Sequence, residues 1–111
     1  MDDIYDFCAA ILKGFAQPNR LKIIAALRDG ELSQTEIETK ISEKQSNTSR
    51  HLTALSMAGI LSSRRDGPFI FFRIRYPEVL DIIDLTQKIV AHEINAYHHL
   101  PLFRQIKKPS V

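Results

Sequence analysis

At 111 residues the chain has room for one domain and little core to spare for an elaborate catalytic pocket. With 44% apolar and 25% charged residues its composition is that of an ordinary globular protein, and no apolar run approaches the roughly 20 residues of a membrane span, so no membrane partner is expected. Net charge is only +2, but from Lys44 to Arg75 six basic residues face the single acid Asp66, a net of +5 that leaves −3 for the rest.

Residues Met1 to Asp6 are acidic and polar where an export signal would be basic and apolar, and the single cysteine, Cys8, cannot close an intrachain disulfide. A cytoplasmic chain is expected. Ile4, Phe7, Cys8, Ile11, Leu12 and Phe15 recur at i, i+3, i+4, i+7 and i+8, one stripe of a first helix. On such a stripe Cys8 reads first as a small buried hydrophobe rather than a sensor. Gln17-Pro18-Asn19 breaks the helix, because proline disfavours helical geometry before it yet suits the first turn of a new one. The second helix is expected to bury Leu21, Ile24, Ala25 and Leu27 and to end at Asp29-Gly30.

Ser33-Gln34-Thr35-Glu36 reads as a capping box that opens a third helix, from about Gln34 to Ile41, with Ile37 and Ile41 inward. Ser42-Glu43-Lys44 turns the chain into a fourth helix. Thr48, Leu52 and Leu55 point inward there, and the helix stops at Gly59, with Ile60 placed for the apolar contact that accompanies such a stop. From Leu61 the pattern becomes strand-like. Arg65-Asp66-Gly67-Pro68 supplies a tight turn before the run Phe69 to Ile74, predicting a two-stranded hairpin. Pro77 opens a long final helix reaching towards His99. We therefore expect a mainly α fold with a β-hairpin wing, in the order α1-α2-α3-α4-β1-β2-α5. Residues 1–100 form one domain, and residues 101–111 form a basic tail that carries Arg104, Lys107 and Lys108.

A short helix, a tight turn and a second helix with a polar outer face is the helix-turn-helix arrangement, whose second helix fits the major groove of double-stranded DNA. Lys44, Gln45, Asn47 and Arg50 carry groups able to pair with base edges or phosphates. Ser46, Ser49 and Thr53 are short enough to let the backbone approach. The hairpin adds Arg64, Arg65, Arg73 and Arg75, a cationic wing beside the fourth helix. Each phosphate so neutralised releases counterions, with log K falling by about 0.9 per contact per unit of log salt concentration.

Phe15-Ala16-Gln17-Pro18-Asn19-Arg20-Leu21-Lys22-Ile23 resembles the alanine-x-proline-x-arginine-leucine start of helix 2 in the ArsR/SmtB family of winged helix-turn-helix repressors. Gly30 to Ser33, Ser46 to Leu52 with Ala58 to Leu61, and Arg64 to Gly67 extend the likeness over nearly the whole chain. The resemblance implies a homodimer joined through the first and last helices, reading a palindromic operator until an inducer loosens its grip. The interface would take in Ile4, Phe7, Cys8, Ile11, Ile83, Val90 and Ile94. Half-site centres would then lie near 10 base pairs apart.

The family's metal-sensing residues are missing. Ser33 and Thr35 stand where some members carry a Cys-x-Cys pair, and hydroxyls are poor ligands for soft ions. Neither Asp81 nor Asp84 begins the Asp-x-His pattern that other members place on the last helix. His92, His98 and His99 are the remaining metal candidates. His92 and His99 share a helix face but lie about 10 Å apart, too far to hold one ion alone, so no metal or other cofactor is expected and the inducer is left open. No phosphate-cradling glycine loop or catalytic cluster points to an enzyme. Two readings compete with the repressor: a winged helix that binds protein instead of DNA, and a repressor that answers to metal through the three histidines.

Overall fold

The computed structural model describes residues 3–101, which fall into two units, one up to Val79 and one from Leu80. The first holds α1 (Ile4–Gly14), α2 (Pro18–Ala26), β1 (Leu32–Ser33), α3 (Gln34–Ile41), α4 (Gln45–Met57), β2 (Leu61–Asp66) and β3 (Phe69–Ile74). α5 (Glu78–Tyr97) supplies the second. The fold is a winged helix-turn-helix.

Local chemistry sets the boundaries. Asp3 caps α1, accepting from the Tyr5 and Asp6 amides at 2.9 and 3.1 Å, while the Asp6 carboxylate accepts from the Asp3 amide at 3.0 Å. α3 opens on the expected box: the Glu36 amide donates to Ser33 Oγ at 3.2 Å and the Ser33 amide to Glu36 Oε1 at 2.9 Å. α4 ends on Gly59, whose φ of 77° only glycine adopts without strain. There the Gly59 amide reaches Ser56 O and the Ile60 amide reaches Leu55 O, at 3.1 and 3.0 Å, while Ile60 and Leu55 are both buried. That is a complete Schellman stop, its apolar pair included.

α2 departs from expectation. Leu21 and Ala25 are exposed, and Ile23 is buried with Ile24 and Leu27. The inward stripe is Arg20, Ile23, Ile24 and Leu27, an i, i+3, i+4, i+7 set whose first member is charged and therefore does not read as core. The helix also ends earlier, at Ala26, and a turn carries the chain through Leu27 to Gly30.

The expected hairpin is formed by β2 and β3, and a third strand joins it. β1 adds to it antiparallel, giving the order β1-β3-β2, with Leu32 opposite Phe72 and Ser33 opposite Phe71. β2 and β3 pair from Leu61↔Ile74 to Asp66↔Phe69, which leaves Gly67-Pro68 as a two-residue loop with Gly67 at φ 60°. Ile23, Ile24, Ile37, Leu52, Leu55 and Ile60 are the fully buried apolar centre of the first unit, each contributing about 1.5–3 kcal/mol by burial.

α5 ends at Tyr97, short of His99. Of the residues expected to face a partner, Ile83 and Ile94 are already buried in the single chain, whereas Ile4, Phe7, Cys8, Ile11 and Val90 are exposed. Cys8 is exposed in the single chain, together with Ile4, Phe7 and Ile11 of the same α1 stripe. The basic tail with Arg104, Lys107 and Lys108 lies outside the described residues.

Candidate nucleic-acid interface

α3 and α4 are joined by Ser42, Glu43 and Lys44. Ser42 sits in the left-handed region at φ 55°, which costs on the order of 1 kcal/mol for a residue with a Cβ. The turn is held all the same, because Glu43 N donates to Glu38 O at 3.1 Å and the Glu43 carboxylate accepts from the Lys44 amide at 2.8 Å. That bond, with those from the Asn47 and Asn19 side chains, holds the Glu43 carboxyl below the ordinary carboxylate value.

From this turn α4 presents Lys44, Gln45, Ser46, Ser49, Arg50 and Thr53 to solvent. Gln45, Ser49 and Thr53 follow one another at four-residue spacing, with Ser46 and Arg50 alongside, so they form one polar strip. No side chain caps the first turn of α4 and no acid lies within it, unlike α1 and α3. Its leading N–H groups are therefore available to an anion. Asn47 differs from its neighbours: it is half-buried and its amide donates to Glu43 Oε1 at 3.1 Å.

The inner face of α4 carries Thr48, Leu52 and Leu55, as expected, and also His51, which was not. Arg20 Nε donates to His51 Nδ1 at 3.2 Å. Burial, then the nearby Arg20 and Arg50 charges, push the imidazole below its ordinary value. The signal for His51 is its spacing, since 48, 51, 52 and 55 complete an i, i+3, i+4, i+7 stripe.

The wing has two faces of different charge. Its pairing puts Ser62, Arg64, Phe71 and Arg73 on one face, and Ser63, Arg65, Ile70 and Phe72 on the other. Arg64 does not project freely. Its Nε donates to both oxygens of Glu31 at 3.1 Å, its Nη2 forms an ion pair with the same carboxylate, and its guanidinium lies 4.6 Å from the centre of the Phe71 ring. Asp66 is 3.8 Å away. These contacts raise the Arg64 pKa and lower that of Glu31, which also feels Arg73. On this face Arg64 and Arg73 are thus balanced by Glu31 and Asp66. Arg65, exposed on the other face, has no ion pair among the described residues.

Between the wing tip and the two helices lies an open groove of about 370 Å³, walled by Gln34, Thr35, Glu38 and Gln45 on one side and Phe69 and Ile70 on the other. The described residues contain no cluster of three or more His, Cys, Asp or Glu side chains able to hold a metal. His92, His98 and His99 are exposed, and the Ser33 hydroxyl is engaged in capping α3.

Residues 17–63 match the family model described as bacterial regulatory protein, arsR family. The transcriptional activator HlyU of Vibrio cholerae is 32% identical over 71% of this chain and 73% of its own length. The biofilm growth-associated repressor of Agrobacterium fabrum is 36% identical over 73% of this chain and 69% of its own length. Among solved structures, a homodimeric winged helix-turn-helix DNA-binding domain from Mycobacterium bovis superposes with a TM-score of 0.71 at 29% identity, over 87% of this chain and 88% of that one.

Proposed function

Since this chain belongs to the ArsR family of bacterial transcriptional regulators, we propose that it is a repressor that binds a palindromic operator as a homodimer and is released by a signal not yet identified. In this reading residues 1–100 are the DNA-binding and dimerisation domain, acting in the cytoplasm. α4 enters the major groove and the wing lies along the backbone beside it. The observation that carries the reading is the exposed strip Gln45, Ser46, Ser49, Arg50 and Thr53, which starts at an uncapped helix end. Amide, hydroxyl and guanidinium groups in that order can pair with base edges and phosphates without any rearrangement of the core.

The open apolar stripe of α1, Ile4, Phe7 and Ile11, and the exposed Leu85, Ile89 and Val90 of α5 support a second copy as partner, because monomers seldom leave such area in water. Ser33 and Thr35 do not supply soft-metal ligands, so the releasing signal is read as something other than a thiophilic ion.

The test is a fluorescence anisotropy titration of the protein against labelled DNA from upstream of its own gene, at two salt concentrations, with an unrelated duplex as competitor. Salt-sensitive, competitor-resistant binding at two chains per site is the expected result. Binding that the competitor abolishes, or one chain per site, overturns the operator or the dimer respectively.

A further inference from the structure

Glu43, Asn47 and His51 stand at four-residue spacing from the turn along α4, and the first turn of α2 holds this row at both ends. Asn19 Nδ2 donates to Glu43 Oε2 at 2.9 Å, Asn47 Nδ2 donates to Glu43 Oε1 at 3.1 Å, and Arg20 Nε donates to His51 Nδ1 at 3.2 Å. Accepting there leaves His51 Nδ1 without a proton and puts the imidazole hydrogen on Nε2. Arg20 reaches further, its Nη1 donating to Gly14 O at 3.4 Å, so the same seam is anchored at the end of α1. Two consecutive residues of α2 thus grip α4 at its start and two turns later.

Apolar contacts at Leu52 and Leu55 hold α4 against the core, but they are not directional and tolerate small rotations of a helix about its own axis. Hydrogen bonds to a carboxylate and an imidazole are directional, and two of them two turns apart fix that rotation. Rotation is what decides which side chains of α4 face a groove. Turning the helix by one residue, about 100°, would replace the strip of Gln45, Ser49 and Thr53 by its neighbours.

We propose that the Asn19–Glu43–Asn47 and Arg20–His51 seam sets the rotation of α4 and thereby its discrimination between DNA sequences, with Asn19 and Glu43 as positioning residues and Asn47 acting through Glu43 rather than on a base. The inference rests on the DNA-binding reading above. It separates two quantities that a simple loss of fold would move together. Affinity for any duplex comes chiefly from phosphates, whereas preference comes from base edges. Loosening the seam spares the first and erodes the second. Glu43→Gln also removes a negative charge beside the leading turn of α4, so its binding to unrelated DNA holds or tightens while preference falls.

The experiment compares the wild-type chain with Asn19→Ala, Glu43→Gln and the double variant. The probes are the duplex that the wild type enriches from a random-sequence pool and an unrelated duplex, with thermal melts alongside. Expected is a loss of about tenfold in affinity for the enriched duplex in each single variant, no further loss in the double, and unchanged or tighter binding of the unrelated duplex. Wild-type preference in Asn19→Ala overturns the proposal, as do parallel losses on both duplexes or additive losses in the double. Asn19 decides the matter even if Glu43→Gln does not fold, because it lies on α2 and a base-contacting Asn47 would leave its removal silent. A wild type that enriches no duplex refutes the regulator reading itself, a result distinct from any of these.

Discussion

Arg64 and Arg65 are sequence neighbours with opposite fates, and the salt dependence of DNA binding separates them. Arg65 is exposed with no ion pair among the described residues, whereas Arg64 is clamped by Glu31, flanked by Asp66 and laid over Phe71. A guanidinium already neutralised by a carboxylate displaces few counterions when a phosphate approaches. Each full phosphate contact is worth about 0.9 in the slope of log K against log salt concentration, so a contact made by both chains of a dimer is worth about 1.8. Over a tenfold rise in salt that is about a 60-fold difference in affinity. Arg65→Ala should therefore flatten the slope by close to that amount. Arg64→Ala should leave it nearly unchanged, and Glu31→Gln, which frees Arg64, should steepen it. Anisotropy titrations at four or more salt concentrations, with circular dichroism to confirm folding, read all three. An Arg64→Ala slope as flat as that of Arg65→Ala would refute the clamp as the determinant.

Gly14→Ala should destabilise the fold by about 1 kcal/mol in urea unfolding, although alanine is ordinarily the better helix residue. A Cβ there would stand 2.7 Å from the buried Ile60 Cδ1 and 3.3 Å from Ala58 Cβ, and that overpacking outweighs the helical gain. Leu55→Ala should cost about 2–5 kcal/mol in the same assay, since Leu55 is fully buried between the helix stop and the core. Ser33→Ala should cost about 1 kcal/mol by unmaking the α3 cap. Stability should fall with acid in two stages. His51 is held below 6.5 in the folded state, so the unfolded chain takes up the proton first and stability declines as pH drops through 6.5. Glu36 and Glu43, both held below 4.5, contribute stability above that value and lose it as pH falls further. Urea midpoints against pH, with the His51 imidazole followed by NMR, check both stages, and His51→Gln should remove the upper one.

The helix-turn-helix was legible because its punctuation is local: the Ser33/Glu36 box, the stop at Gly59-Ile60 and the Gly67-Pro68 turn each announce themselves within a few residues. β1 was not, because two residues are too few to show a strand period and its pairing with Phe71 and Phe72 is non-local. In α2 the stripe is obscured by Arg20, a half-buried charged residue whose partner, His51, lies 31 residues away. A sequence supplies the interface only as residue types, and types do not reveal which side chains are already engaged. Arg64 and Asn47 look like any surface arginine and asparagine until Glu31 and Glu43 are seen beside them.

Ile60 both ends α4 and precedes the first residue of β2, and the Arg75 amide donates to its carbonyl at 3.0 Å where β3 returns. Helix and wing therefore share a single stiff elbow with no slack loop between them. In the binding mode proposed above, α4 and the wing would grip a duplex as a fixed calliper does, and a target whose grooves do not match the gap between them would have to be deformed to fit, at an energy cost that depends on its sequence even where no side chain touches a base.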